Sequence, residues 1–131
     1  MKVKGTFSPS LSPLETYAAG KHDMKLGRMS IDKTFEGELK ATSRGEMLSV
    51  MTPEKGSAGY VAIEQVEGTL SGKNGSFVLQ HFGIMNKGEQ RLELEVVPSS
   101  GTGELSGLTG NMNIIVEDGK HRYEFDYELP E

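Results

Sequence analysis

The sequence predicts an all-β fold, a single eight-stranded antiparallel closed barrel, on three observations. The 17 glycines fall between short segments rich in Val, Ile, Phe, Tyr and Thr. No window carries apolar residues at helical spacing for three turns. Asn74-Gly75 and Asp118-Gly119 are dipeptides that tolerate positive φ at both central positions, as a tight hairpin turn requires. The 131 residues are read as one domain, 1–131, because two halves would each bury only a marginal core.

Strands are expected near 2–7, 24–35, 39–51, 59–70, 76–85, 90–97, 111–117 and 120–128, joined as sequential hairpins. After the first strand, residues 8–23 hold Pro9, Pro13 and several serines and read as an irregular N-terminal loop, able to cover a barrel mouth or reach a neighbouring subunit. Glu36-Gly37 and Asn86-Lys87-Gly88 are weaker turn signals, and Thr52–Gly56 reads as a longer loop. Residues 98–110 form a second irregular stretch, with one helical turn expected at Glu104–Leu108.

Alternation fixes the facing, because successive strand side chains point to opposite sides. His121, Tyr123, Phe125, Tyr127 and Leu129 share an inward face against Arg122, Glu124, Asp126 and Glu128. Leu92, Leu94 and Val96 form a second such stripe, and Met112, Ile114 and Val116 a third. The strands at 59–66 and 76–84 are apolar on both faces, so a second cover is expected over them, either the N-terminal loop or a homo-oligomer interface.

Charge excludes one class of partner. Lys and Arg number 14 against 19 Asp and Glu, a net charge of −5 with the basic residues scattered singly, so no nucleic-acid partner is expected. Cysteine is absent, which removes disulfides, thiolate metal sites and cysteine nucleophiles together. The longest apolar run, Tyr60-Val61-Ala62-Ile63, is far short of a membrane helix, and Met1–Phe7 lacks the apolar stretch of a secretion leader. A cytoplasmic chain with no membrane partner is the expectation.

The run Gly68–His81, the glycine-rich Val97–Gly110, Lys33–Gly37 and the closing Tyr123–Leu129 resemble a bacterial family, the domain of unknown function numbered 3224. That resemblance implies a fold similar to the allene oxide cyclase barrel, shared with dirigent proteins and the calycin-like barrels, and a cavity. It does not carry cyclase chemistry across. The plant cyclases place acidic and amide residues early in the chain, whereas Thr6-Phe7-Ser8 offers none and the first carboxylate is Glu15.

Polar residues on inward faces are the candidate site. Lys33 alternates with Met29, Ile31 and Phe35, and a lysine there needs a carboxylate partner. Glu64, in phase with Tyr60, Ala62 and Val66, is the candidate; the competing arrangement has Lys33 snorkelling to the barrel end and Glu64 solvated. His81 lies on the face of Phe77 and Leu79, either as an acid or base in a cavity or as a satisfied core histidine. Tyr127 completes the expected ligand-binding set of Lys33, Glu64, His81 and Tyr127. Methionines at Met24, Met29, Met47, Met51, Met85 and Met112 could line an adaptable cavity or fill core gaps. His22-Asp23 and His121 lack metal-ligand spacing, and the glycines at 101, 103, 107 and 110 lack the strand and helix of a phosphate cradle. No metal, no cofactor and no named catalytic residue is therefore expected.

The function expected from these residues is binding of a small, largely apolar molecule inside the barrel, with isomerisation or cyclisation as the enzyme class such a cavity could serve. The alternative is a packed, non-enzymatic barrel that acts as a homodimer or higher oligomer, or binds another protein, through the 59–85 hairpin.

Overall fold

The computed structural model describes residues 1–130. Eight antiparallel strands follow one another around a closed barrel in strict sequence order: β1 (Lys2–Pro13), β2 (Lys25–Gly37), β3 (Leu39–Met51), β4 (Ala58–Leu70), β5 (Lys73–Asn86), β6 (Glu89–Val96), β7 (Thr109–Glu117) and β8 (Lys120–Glu128). A single turn of 3-10 helix, Gly103–Leu105, interrupts the β6–β7 connection. The all-β expectation holds, including the meander; the helical turn expected at Glu104–Leu108 is shorter and starts one residue earlier, at Gly103.

Two local readings are corrected. The first strand does not stop at Phe7 but runs through Pro13, paired with β2 as far as Pro13 opposite Met29. Prolines fit because β8 pairs only with Lys2–Thr6, so the rest of β1 has one free side, where a residue lacking an N–H is tolerated. The irregular segment is therefore 14–24, not 8–23. Asn74-Gly75 is likewise no turn. Ser71 and Gly72, at φ 50° and 84°, turn the β4–β5 hairpin, and Gly75 sits inside β5 opposite Gly68. Its hydrogen side chain answers a packing need, since a Cβ there would lie 2.1 Å from the Thr102 carbonyl oxygen. Asp118-Gly119 and Lys87-Gly88 do turn hairpins, with positive φ at all four residues.

The two ends of the barrel differ. At the lower end, where the chain passes through Glu38, Ser71-Gly72 and 97–108, the interior is filled by Phe35, Leu39, Leu70, Phe77, Tyr123, Phe125 and Tyr127. Leu105 and Leu108, both 1% exposed, seal it. The 97–108 segment is held to β5 by Thr102 and Ser100, whose hydroxyls accept the Ser76 and Val78 amides at 3.1 and 3.0 Å. Tyr123 closes the β2–β3 corner: its hydroxyl accepts the Leu39 amide and donates to the Glu36 carbonyl, each at 3.0 Å.

The upper end is looser. β6 and β7 pair only at Leu94–Met112 and Glu95–Asn111, so above those pairs no ladder joins the two strands. On the other side of the molecule β2 to β6 remain paired to their tips, through Met51 opposite Ala58 and Asn86 opposite Glu89. The upper half is a curved wall of β2–β6 rather than a filled cylinder.

Candidate functional site

Alternation along β2, β3, β4 and β5 brings Lys33, Ser43, Glu64 and His81 to the inner face, at the boundary between the filled lower core and the open upper half. All four are buried, Glu64 completely. Glu64 is the hub. Its Oε1 accepts from Lys33 Nζ at 3.0 Å and from His81 Nε2 at 2.8 Å, and its Oε2 accepts from Ser43 Oγ at 2.7 Å. Lys33 Nζ also stands 5.2 Å from the centre of the Phe7 ring and 5.9 Å from that of Phe35. The other imidazole nitrogen, His81 Nδ1, lies 3.2 Å from the Tyr60 hydroxyl.

Two glycines make room for this arrangement. Gly83 lets the Tyr60 ring lie flat against β5, since a Cβ at residue 83 would meet Cε1 of Tyr60 at 2.3 Å. Gly45 faces Glu64 across the β3–β4 ladder and lets the two strands close on each other there.

Burial disfavours an ionised Glu64, but hydrogen bonds from His81 and Ser43 and the positive charge of Lys33 outweigh it and hold the carboxyl down at about 2. Tyr60 moves the other way, to about 12, through burial and then through the negative charge of Glu64. The phenol therefore keeps its proton throughout the physiological range. A depressed folded pKa makes Glu64 a source of stability that is fully present above about pH 4.5 and lost as the pH falls towards 2, on the order of 3 kcal/mol in all. Urea unfolding at pH 5 and pH 2.5 should show a smaller acid-induced loss in Glu64→Gln than in the parent chain; equal losses would remove Glu64 from the acid response.

Three of the four residues singled out in the sequence, Lys33, Glu64 and His81, thus come together. Tyr127 does not join them. It points inward, but at the lower end, where its hydroxyl donates to Ser71 Oγ at 3.0 Å and its ring packs on Phe125. Ser43 and Tyr60 were missed. Both carried a signal: Ser43 is a polar residue in phase with Ala41 and Met47, and Tyr60 lies four residues before Glu64 on the same strand face.

Above the network the inner wall forms an open pocket of about 270 Å³, lined by Met47, Met51, Ala58, Tyr60, Gly83 and Met85 among others. Tyr60 belongs to both structures, lining the pocket and bonding the imidazole that bonds the buried carboxylate. Among the described residues, no cluster of His, Cys, Asp or Glu could hold a metal ion, and no helix is long and apolar enough to cross a membrane.

Fold and site define a class: a small meander barrel, plugged at one end, with an ionised side-chain network set in its wall beneath an open apolar pocket. Residues 3–127 match the family described as Protein of unknown function (DUF3224), and the chain belongs to it. A crystal structure of a protein with unknown function from the same family, from Shewanella oneidensis MR-1 at 1.84 Å resolution, is similar throughout, with 60% sequence identity and a TM-score of 0.98. The match covers 100% of this chain and 98% of that one. No curated protein matches the chain.

Proposed function

We propose that this barrel binds one small, largely apolar molecule at its open upper end, against Met47, Met51, Met85 and Tyr60. The observation that carries the reading is the pocket itself, apolar along its walls and lined in part by a tyrosine whose hydroxyl bonds a buried histidine, which in turn bonds a buried carboxylate. Flexible thioethers suit an adaptable apolar site, and a few fixed polar groups within such walls give a ligand its orientation. The resemblance to the allene oxide cyclase barrel supports the same use of the fold, with isomerisation or cyclisation as the chemistry such confinement serves. The neutral dye N-phenyl-1-naphthylamine should bind with a saturable, one-site fluorescence rise, and Met47→Trp, which fills the pocket, should weaken it about tenfold or more. A dye response that never saturates would sink the reading, and mass spectrometry of organic extracts from purified protein would name the native occupant.

A second reading concerns the outer wall. Leu48, Val61, Ile63 and Phe82 lie on the outer faces of β3, β4 and β5, each between 41% and 56% exposed, and Leu48, Val61 and Phe82 are in register across the three strands. The N-terminal connection does not shield them: it turns back onto β2 through Leu14 and Ala19, with Tyr17 in solvent. A second copy of the chain is the occupant we propose, because a two-fold interface sets the same patch on itself and Arg91, stacked over Phe82 beside Glu93 and Glu95, supplies charges of both signs at its edge. Light scattering should give a dimer mass that Phe82→Glu reduces to a monomer; a monomeric parent chain at high micromolar concentration would end this reading.

A further inference from the structure

The hydrogen positions in the network have a consequence for what the pocket accepts. Glu64 Oε1 receives both Lys33 and His81, so His81 Nε2 carries a hydrogen and donates it. Two arrangements then remain for the contact between His81 Nδ1 and the Tyr60 hydroxyl. With a neutral imidazole, Nδ1 accepts the phenolic proton, and Tyr60 turns only lone pairs to its surroundings. With an imidazolium, Nδ1–H donates to the Tyr60 oxygen, and the phenolic O–H is released to donate elsewhere. Tyr60 is the member of the network that also lines the pocket, so for a ligand whose polar end reaches the Tyr60 hydroxyl the protonation state of His81 decides whether it meets a donor or an acceptor.

Two features favour the donor state once a ligand is present. The network is rich in hydrogens: an ammonium has three, and the imidazole, the Ser43 hydroxyl and the phenol add more, against a single carboxylate. Among the described residues, Lys33 Nζ donates only to Glu64, and it also stands near the Phe7 and Phe35 rings. Charge points the same way. Lys33 and Glu64 cancel, so a protonated His81 leaves the site with one positive charge, which a single anionic group neutralises. The groups facing His81 are Glu64 and Tyr60 on β4, with Lys33 on β2 and Ser43 on β3 beyond the carboxylate. Opposite it on β6 stand Leu94 and, two residues on, Leu92, neither of which carries charge.

We infer that the ligand is an apolar molecule ending in a carboxylate, that Tyr60 donates to that carboxylate, and that binding draws one proton from solution onto His81. This rests on the pocket proposed above and names its ligand class. The proton is supplied by buffer, and no covalent bond is made or broken.

Octanoate and 1-octanol are matched probes, equal in chain length and differing in the head group. Titration calorimetry with the full chain near pH 7.5, in phosphate and in Tris, reads affinity and proton uptake together, because the two buffers release protons with different heats. Octanoate should bind about tenfold or more tighter than 1-octanol, with a buffer-dependent heat equivalent to uptake of up to one proton, while 1-octanol shows no such dependence. Tyr60→Phe should bring octanoate down to the affinity of 1-octanol, and His81→Gln should abolish the buffer dependence; circular dichroism melts confirm that each variant is folded. Equal affinities, a heat independent of buffer, or an unaltered octanoate preference in folded Tyr60→Phe would overturn the inference while leaving the apolar pocket in place. Binding of neither probe would overturn both.

Discussion

Glu64→Ala should be the most damaging single substitution in the barrel, lowering stability by roughly 3–5 kcal/mol and Tm by roughly 10–20 °C. The loss of one carboxylate strands three donors. Lys33 is left as an ammonium among Phe7 and Phe35 with no counter-charge, and His81 and Ser43 each lose the carboxylate oxygen they donate to. The cost comes from leaving a charge buried alone rather than from the attraction lost. That distinction is measurable. Adding Lys33→Met removes the stranded ammonium and should return about half of the loss or more, so that the double variant is far more stable than the sum of the single effects implies. Strict additivity in urea unfolding would mean that the two groups do not act as a pair, and the network as described would be wrong.

The same substitution shows why part of this site was legible in the sequence. Period-two alternation places Lys33 among Ile31 and Phe35, and Glu64 among Ala62 and Val66, so two opposite charges fall on apolar faces of neighbouring parts of one wall. A buried charge has few ways to persist without a partner, and pairing them requires no coordinates. His81 follows from the same count along β5. Tyr127 satisfies the identical pattern and yet lies at the plugged end, because alternation reports which way a side chain points and not how high it stands along the barrel axis. Height is set by strand register, and register depends on where the hairpins turn. Reading the β4–β5 turn at Asn74-Gly75 instead of Ser71-Gly72 slides His81 along β4 away from its place opposite Ala62, while Tyr127, on β8 opposite Gly110, owes its height to the β7–β8 ladder. Asn-Gly is the stronger local turn signal, but Gly75 was already committed to the close approach of Thr102 and Leu105. The extra length of β1 was hidden for a related reason: Pro9 and Pro13 argue against a strand unless one side of it is free, and only the short β8 frees it.

Gly45→Ala is the second large effect expected, about 3 kcal/mol of destabilisation from a single added methyl group. No left-handed backbone is involved; the requirement is space. A Cβ at residue 45 would lie 2.0 Å from the Ile63 carbonyl oxygen and 2.6 Å from the Glu64 Cα, and both are backbone atoms that cannot swing aside. The β3 and β4 strands must part at this point, and it is the point at which the network spans them, from Ser43 on β3 to Glu64 on β4. The substitution should therefore weaken more than global stability. With the Ser43 hydrogen bond stretched and the carboxylate less enclosed, the forces that hold Glu64 ionised relax, its folded pKa moves back towards 4.5, and the stability it contributes above that pH shrinks. Gly45→Ala should then lose less stability between pH 5 and pH 2.5 than the parent chain does, as Glu64→Gln should, although residue 45 titrates nothing. A variant that is destabilised at neutral pH but keeps the full acid response would show that β3 and β4 can separate without disturbing Glu64, and the strand contact at Gly45 would then be structural support and not part of what sets the charge of the site.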